Sequence, residues 1–405
     1  MIIETKLTRK AAMLRSPLLS NPLGRIGAEF RPVTLCRRIR TGAVRVRAEA
    51  YVQSLDDANQ VFHKAQTEED KALAYSQIME YRAHRRRVFN FKDWRRHRSQ
   101  SRYLHHIQTL RESGVIRNVA RPVLTVAAMS LVVAFYNHLF IVQPPWLPAW
   151  LPSPPTMAIE PIQLTTIALS LLLVFRTNAS YARWEEGRRA FGAITTVCRD
   201  LARQIYAWFP DTPEGKTSKE VASRWLIALA KSSMVHLRDE HELRRELAGV
   251  LNDHELDALD ASDNRPMYCL QLLSHVFAMN KLPKHYIVCM DENVHKIVIA
   301  INACERILGT PIPLSYTRHT ARFLLAWLFC IPFTLWPYAG WAMVPLAALV
   351  SFVLLGIEEI GIFLEEPFSV LSLEHLCRSC EDCIRSMHSG DSKIVEQLKS
   401  VGVSH

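Results

Sequence analysis

IQLTTIALSLLLVFRTNASYARWEEGRR, residues 162–189, decides how the rest of the chain is read. As far as Phe175 it carries no charge, and then Arg176, Asn178, Arg183, Glu185, Glu186, Arg188 and Arg189 follow within a few turns. One uninterrupted helix would cross a bilayer with its first half and leave it with its second. Ile167, Leu171 and Phe175 recur at i, i+4 and i+8. At about 100° per residue they hold an arc of roughly 80° on one face. An ordinary span would pack that face on lipid or neighbouring helices. The functional reading makes it a hydrophobic constriction, with Ile167, Leu171 and Phe175 of several subunits meeting on an axis. Such constrictions gate by dewetting and favour ions that lose water cheaply. Arg176 and Arg183, just beyond, are candidates for raising the local anion concentration. Two central spans from one chain do not enclose a pore, so this reading requires an oligomer.

Working outward, the other apolar runs give an all-α membrane protein with spans at about 119–141, 162–183, 320–338 and 341–364. Residues 143–161 hold seven prolines and two tryptophans but only one charge, Glu160, and read as a rigid interfacial connector. Both flanks of the first hairpin, 82–121 and 176–203, are Arg-rich, whereas the connector has no Lys or Arg; the positive-inside rule puts both flanks on one side. The basic-aromatic block RAHRRRVFNFKDWRRHRSQSRYLHH, 82–106, reads better as a membrane-surface segment beside anionic lipid than as a nucleic-acid site, because a span follows closely. Residues 184–318 lack a bilayer-length apolar run and carry amphipathic helical periodicity, an extramembrane helical region on the same side. The stretch 211–219 reads as a polar loop, and Tyr338-Ala339-Gly340-Trp341 as a tight turn.

The net charge of +10 is concentrated at one end. Residues 1–47 contain eleven Lys or Arg and two acids, whereas the rest of the chain is close to neutral, with 38 basic and 37 acidic residues. No nucleic-acid partner is implied. Residues 1–48 read as an organelle transit peptide, Arg-rich and acid-poor without a continuous apolar core, with a disordered basic tail as the plainer alternative. Residues 49–81 form a polar segment, 82–385 the channel domain and 386–405 a C-terminal tail. Cys377, Cys380 and Cys383 form CxxCxxC, which more often marks one face of a helix than a metal or redox site; no second cysteine pair is evident. His105, His106, His236, His241 and His254 do not repeat as the histidine pairs of a di-metal membrane enzyme, and no phosphate loop or serine-nucleophile motif occurs. The chain is read as having no catalytic residues, metal or cofactor.

Three stretches resemble the bestrophin family, especially its bacterial and chloroplast branches: FRTNASYARWEEGR at 175–188, ERILGTPIPLSYTRH at 305–319 and GIEEIGIFLEEPFSVLSLEHL at 356–376. They occur in the family's order and frame nearly all of 85–385. The resemblance implies a bestrophin-like homopentamer around a central pore, with four transmembrane helices per subunit and a helical stromal domain. It implies a passive anion channel, conducting chloride or bicarbonate, in the chloroplast thylakoid membrane of a plant or green alga, with both termini stromal. Aligned through Phe175-Arg176 and Arg183-Trp184, the family's neck positions fall on Ile167, Leu171 and Phe175. Its lower constriction falls on Val294, with Ile297 and Val298 as neighbouring candidates. Animal members carry an acidic calcium clasp after the Pro-Phe of the last motif, whereas Pro367-Phe368 is followed here by Ser369-Val370-Leu371-Ser372. This segment is expected not to hold the ion, which wants several oxygen ligands. The expected partners are monovalent anions and membrane lipids. A membrane scaffold without conductance is the alternative of a different class, and a metal-dependent membrane enzyme a more distant one.

Overall fold

The computed structural model describes residues 88–100, 102–108, 114–142, 152, 156–238 and 243–402. The transit-like segment 1–48, the polar segment 49–81, most of the 143–161 connector and His241 lie outside the described residues. Among those described there is no strand. The helices are α1 (Phe91–Arg98), α2 (Arg102–Gln108), α3 (Gly114–Val142), α4 (Ile159–Trp208), α5 (Pro213–His236), α6 (Leu243–Glu246), α7 (Asp253–Asp260), α8 (Arg265–Met279), α9 (Lys284–Gly309), α10 (Leu314–Ala339), α11 (Met343–Glu365) and α12 (Leu373–Ser400).

Among the described residues, three helical stretches are long and apolar enough to cross a membrane: Gly114–Val142, Ile159–Trp208 and Leu314–Glu365. The third is a hairpin. Gly340 takes φ +50°, a conformation that favours glycine, and a short 3₁₀ turn, Gly340–Ala342, sends α11 back along α10. The tight turn read around Gly340 is therefore present. Pro332 and Pro337 sit inside α10, where each removes a backbone donor without ending the helix.

Two hydrophobic cores share α4. Leu169 and Leu173, from its first half, pack with Val119 and Val126 of α3, Leu324 and Leu328 of α10, and Ala347 and Leu355 of α11. Phe191, Ile194, Cys198, Leu201 and Ile205, from its second half, build a larger core with α5, α8, α9 and α12. Helix α4 is unbroken over 50 residues, about 75 Å at the α-helical rise.

Two sequence boundaries shift. The stretch 211–219 is mostly helical, because Thr212 caps the Gly215 amide at 3.1 Å and Pro213 fits the first turn, where its missing N–H costs nothing. Residues 386–400 continue α12 rather than forming a separate tail.

The segment after α11 is pinned to the second core. Phe368 is fully buried, and Arg238 donates to Phe368 O (3.0 Å), Leu371 O (2.9 Å) and the Glu374 carboxylate (2.6 Å). Gly187 of α4 faces this segment: a Cβ added there would lie 2.7 Å from Pro367 Cγ and 3.2 Å from its Cβ. A proline ring has little freedom to yield, so Gly187→Ala is expected to destabilise the subunit by about 1–3 kcal/mol, the usual cost of overpacking. A thermal melt of the purified variant matching the parent's would remove this close-packing role.

Candidate functional site

The face predicted from periodicity is open. Ile167, Leu171 and Phe175 are 66%, 51% and 62% exposed on the subunit. Leu164, one turn earlier, is also exposed and extends the apolar strip. Leu169, Leu173, Arg176 and Ser180 are buried, and helical geometry sets them about 180–240° around α4 from Ile167. Helices α10 and α11 pack on that opposite side, so the Ile167–Leu171–Phe175 strip belongs to neither core.

The arginines beyond the strip behave otherwise than expected. Arg176, read as an anion-attracting residue, is 1% exposed and ion-paired with Glu358 of α11. Gly361 lets α11 come close here: a Cβ on it would sit 3.9 Å from Arg176 Nε and from Ser180 Oγ. Arg183, the second anion-attracting candidate, donates from Nε to Glu365 O (3.0 Å), from Nη1 to Thr310 O (2.7 Å) and from Nη2 to Ile307 O (2.6 Å). Its guanidinium thus satisfies carbonyls at the C-terminal ends of α9 and α11, where helix dipoles favour a cation. Arg176 is neutralised inside the subunit, which corrects its assignment as an anion-attracting residue, whereas Arg183 keeps its charge but turns its donors to carbonyls.

The lower-constriction candidates also move. Ile297 is fully buried and Val294 nearly so, both in the core between α9 and α4, and Val298 is half-buried against it. The exposed stripe of α9 runs through Val288, His295, Ile299, Asn302 and Arg306. On that stripe Val288 and Ile299 are the large apolar side chains. Val294 and Ile297 therefore hold the subunit together and do not line an opening.

The acidic pair closing α11 is engaged as well. Glu365 accepts from the Ile312 amide at 3.0 Å, and Glu366 accepts from the amides of Phe368 (2.9 Å) and Ser369 (3.1 and 3.2 Å). Glu366 thus closes the turn after α11, and Glu365 ties the end of that helix to the segment before α10.

The first two cysteines of CxxCxxC face inward, and Cys383 is half-buried. Cys377 and Cys380 are buried, with Cys377 Sγ 3.3 Å from Ala230 O and Cys380 Sγ 3.6 Å from Thr195 O. Burial pushes the Cys377 thiol well above its ordinary range, so it stays a neutral core side chain. His236 Nε2 lies 2.9 Å from Glu305 Oε1, joining α5 to α9, and His254 is exposed. Among the described residues no three His, Cys, Asp or Glu side chains gather as metal ligands.

Helix α1 is capped by Asn90, whose side chain accepts from the Lys92 and Asp93 amides, and it carries an aromatic cluster. Phe89 and Trp94 lie 5.1 Å apart and Phe89 and His97 5.7 Å, with the Arg98 guanidinium 6.0 Å above Trp94. Phe91, Trp94, Tyr103, Leu104 and Ile107 are exposed.

The model of a protein family described as bacterial/fungal bestrophin protein matches residues 93–386. A chloroplastic voltage-dependent chloride channel (channel 2) of Arabidopsis thaliana is 31% identical over 325 residues, 79% of this chain and 78% of that one. A voltage-dependent anion channel-forming protein of Nostoc is 33% identical over 235 residues, 56% of this chain and 76% of its own. Among solved structures, a bacterial bestrophin homologue from Klebsiella pneumoniae superposes with a TM-score of 0.58 at 22% identity, covering 66% of this chain and 97% of that one.

Proposed function

The chain belongs to the bestrophin family, and we propose that it is a passive anion channel of a chloroplast membrane, with its pore on the axis of a homopentamer. In this reading α3, α4, α10 and α11 each cross the bilayer. Residues 1–48 act as a transit peptide, the membrane is the thylakoid and both termini face the stroma. Chloride or bicarbonate passes a neck of Ile167, Leu171 and Phe175. Helices α1 and α2 lie at the membrane surface, with their aromatic side chains at headgroup level beside anionic lipid.

The observation that carries the reading is the exposed apolar strip on α4. An oligomer that turns this strip to its axis forms a water-poor passage, where a monovalent anion sheds hydration more cheaply than a small cation. The family points to a channel and not an enzyme. The Pro367–Ser372 segment, which offers few oxygen ligands, is expected not to confer calcium activation.

Reconstitution of the purified protein into planar bilayers, with chloride exchanged for bicarbonate on one side, tests the proposal. An anion current whose reversal potential follows the anion gradients is expected. Silence from well-assembled protein would leave the non-conducting scaffold as the better account.

A further inference from the structure

We infer that Asn178 is the first hydrogen-bond donor met by an anion leaving the apolar neck, and that it sets anion conductance and selectivity there. The inference rests on the pore reading above. Measured from Ile167, Leu171 lies at about 40° and Phe175 at about 80° around α4, and Asn178 returns to about 20°. Asn178 thus shares the neck arc, one turn beyond Phe175 and about 4.5 Å further along the axis.

Asn178 is exposed, and its carboxamide makes no hydrogen bond with the described residues. Gln163 and Ser180 of this half of α4 likewise make no side-chain hydrogen bond, whereas four other polar side chains do. Thr165, Thr166, Ser170 and Thr177 each return a hydrogen bond to a carbonyl one turn back. The same arc next presents Ala182 and then Glu185 with Arg189, which neutralise each other as an i, i+4 pair. The two arginines nearest the neck exit direct their donors elsewhere: Arg176 pairs with Glu358, and Arg183 donates to three carbonyls. Between Phe175 and Glu185, Asn178 is therefore the one side chain on the arc that supplies polar contacts.

A carboxamide carries two N–H donors. An ion that has lost part of its hydration in the neck needs such donors, and at low dielectric each is worth more than in bulk water. A ring of neutral amides stabilises an anion without trapping it, whereas a ring of arginines would hold it tightly. The class of ligand is a small monovalent anion with halide or oxygen acceptors.

The test compares Asn178→Asp, Asn178→Leu and Asn178→Ser with Phe175→Ala in planar bilayers holding asymmetric sodium chloride, each variant first checked for oligomer size. Because the side chain is exposed and unbonded, assembly is expected to survive in all three. Asn178→Asp places a ring of negative charge at the exit and is expected to lower the chloride-to-sodium permeability ratio by about fivefold or more. Asn178→Leu is expected to cut chloride conductance by about threefold or more, and Asn178→Ser, which keeps one donor, to retain most of it. If Phe175→Ala alters the current while Asn178→Asp and Asn178→Leu leave conductance and reversal potential within about twofold, the Asn178 role is wrong and the neck stands. If all are silent, both assignments fall.

Discussion

Leu171→Ala and Phe175→Ala are each expected to change the single-channel conductance or the open probability of the reconstituted protein by severalfold, and neither is expected to impair assembly. Both side chains are more than half exposed on the subunit and lie outside its hydrophobic cores. Truncating them therefore forfeits little packing within the chain, unlike a core leucine, whose loss costs about 2–5 kcal/mol. If these side chains ring an axis, as proposed above, the consequence is large. Removing a phenylalanine ring from every subunit widens the passage and admits water, and the barrier of a hydrophobic constriction falls steeply once it wets. The measurements are single-channel recording and size-exclusion chromatography on the same preparations. Currents indistinguishable from the parent's for both variants would remove the neck from these positions.

Arg176→Ala is the variant expected to damage the fold most. The Arg176–Glu358 pair joins α4 to α11 at the level of Phe175, with Arg176 1% exposed and Glu358 8%. Removing one member of a buried pair strands the other charge, at a cost of about 3–5 kcal/mol. A melting temperature lower by roughly 5 °C or more, together with loss of oligomer, is expected. The converse argument supplies the control: Arg176→Met combined with Glu358→Leu removes both charges and keeps apolar volume, and it should recover much of the loss. A double variant no better than Arg176→Ala would show that the guanidinium serves something other than its carboxylate partner. A single variant melting within about 1 °C of the parent would show the pair to be dispensable.

The membrane helices and the exposed strip were legible in sequence because hydropathy, length and 3.6-residue periodicity are local properties. Gly340 declared its turn for the same reason. The fate of the arginines was not legible. Sequence displays the charge of Arg176 but not the carboxylate that α11 brings to it, nor the carbonyls of Ile307, Thr310 and Glu365 that gather around Arg183. Helix α9 failed for a different reason. Val294, Ile297, Val298 and Ile301 fall within about 100° of one another, an apolar face that periodicity displays, but the family alignment carried the constriction onto this face rather than reading it as core. Contact with α4 makes it core and buries Val294 and Ile297. The polar residue now assigned to the neck exit stood in plain sight within the FRTN stretch, but its importance depends on both neighbouring arginines being occupied elsewhere.

The unbroken α4 also has a mechanical meaning. Between Ile162 and Trp208 it contains no proline, so it lacks the commonest cause of a kink. A strut of this kind does not absorb a push at one end by bending in the middle. In the proposed channel, torque applied where α12 packs on Cys198 and Thr195 would reach Leu171 and Phe175 along this one helix. The distal helices and the proposed neck would then act as a single lever, and a partner gripping the former would move the latter without touching it.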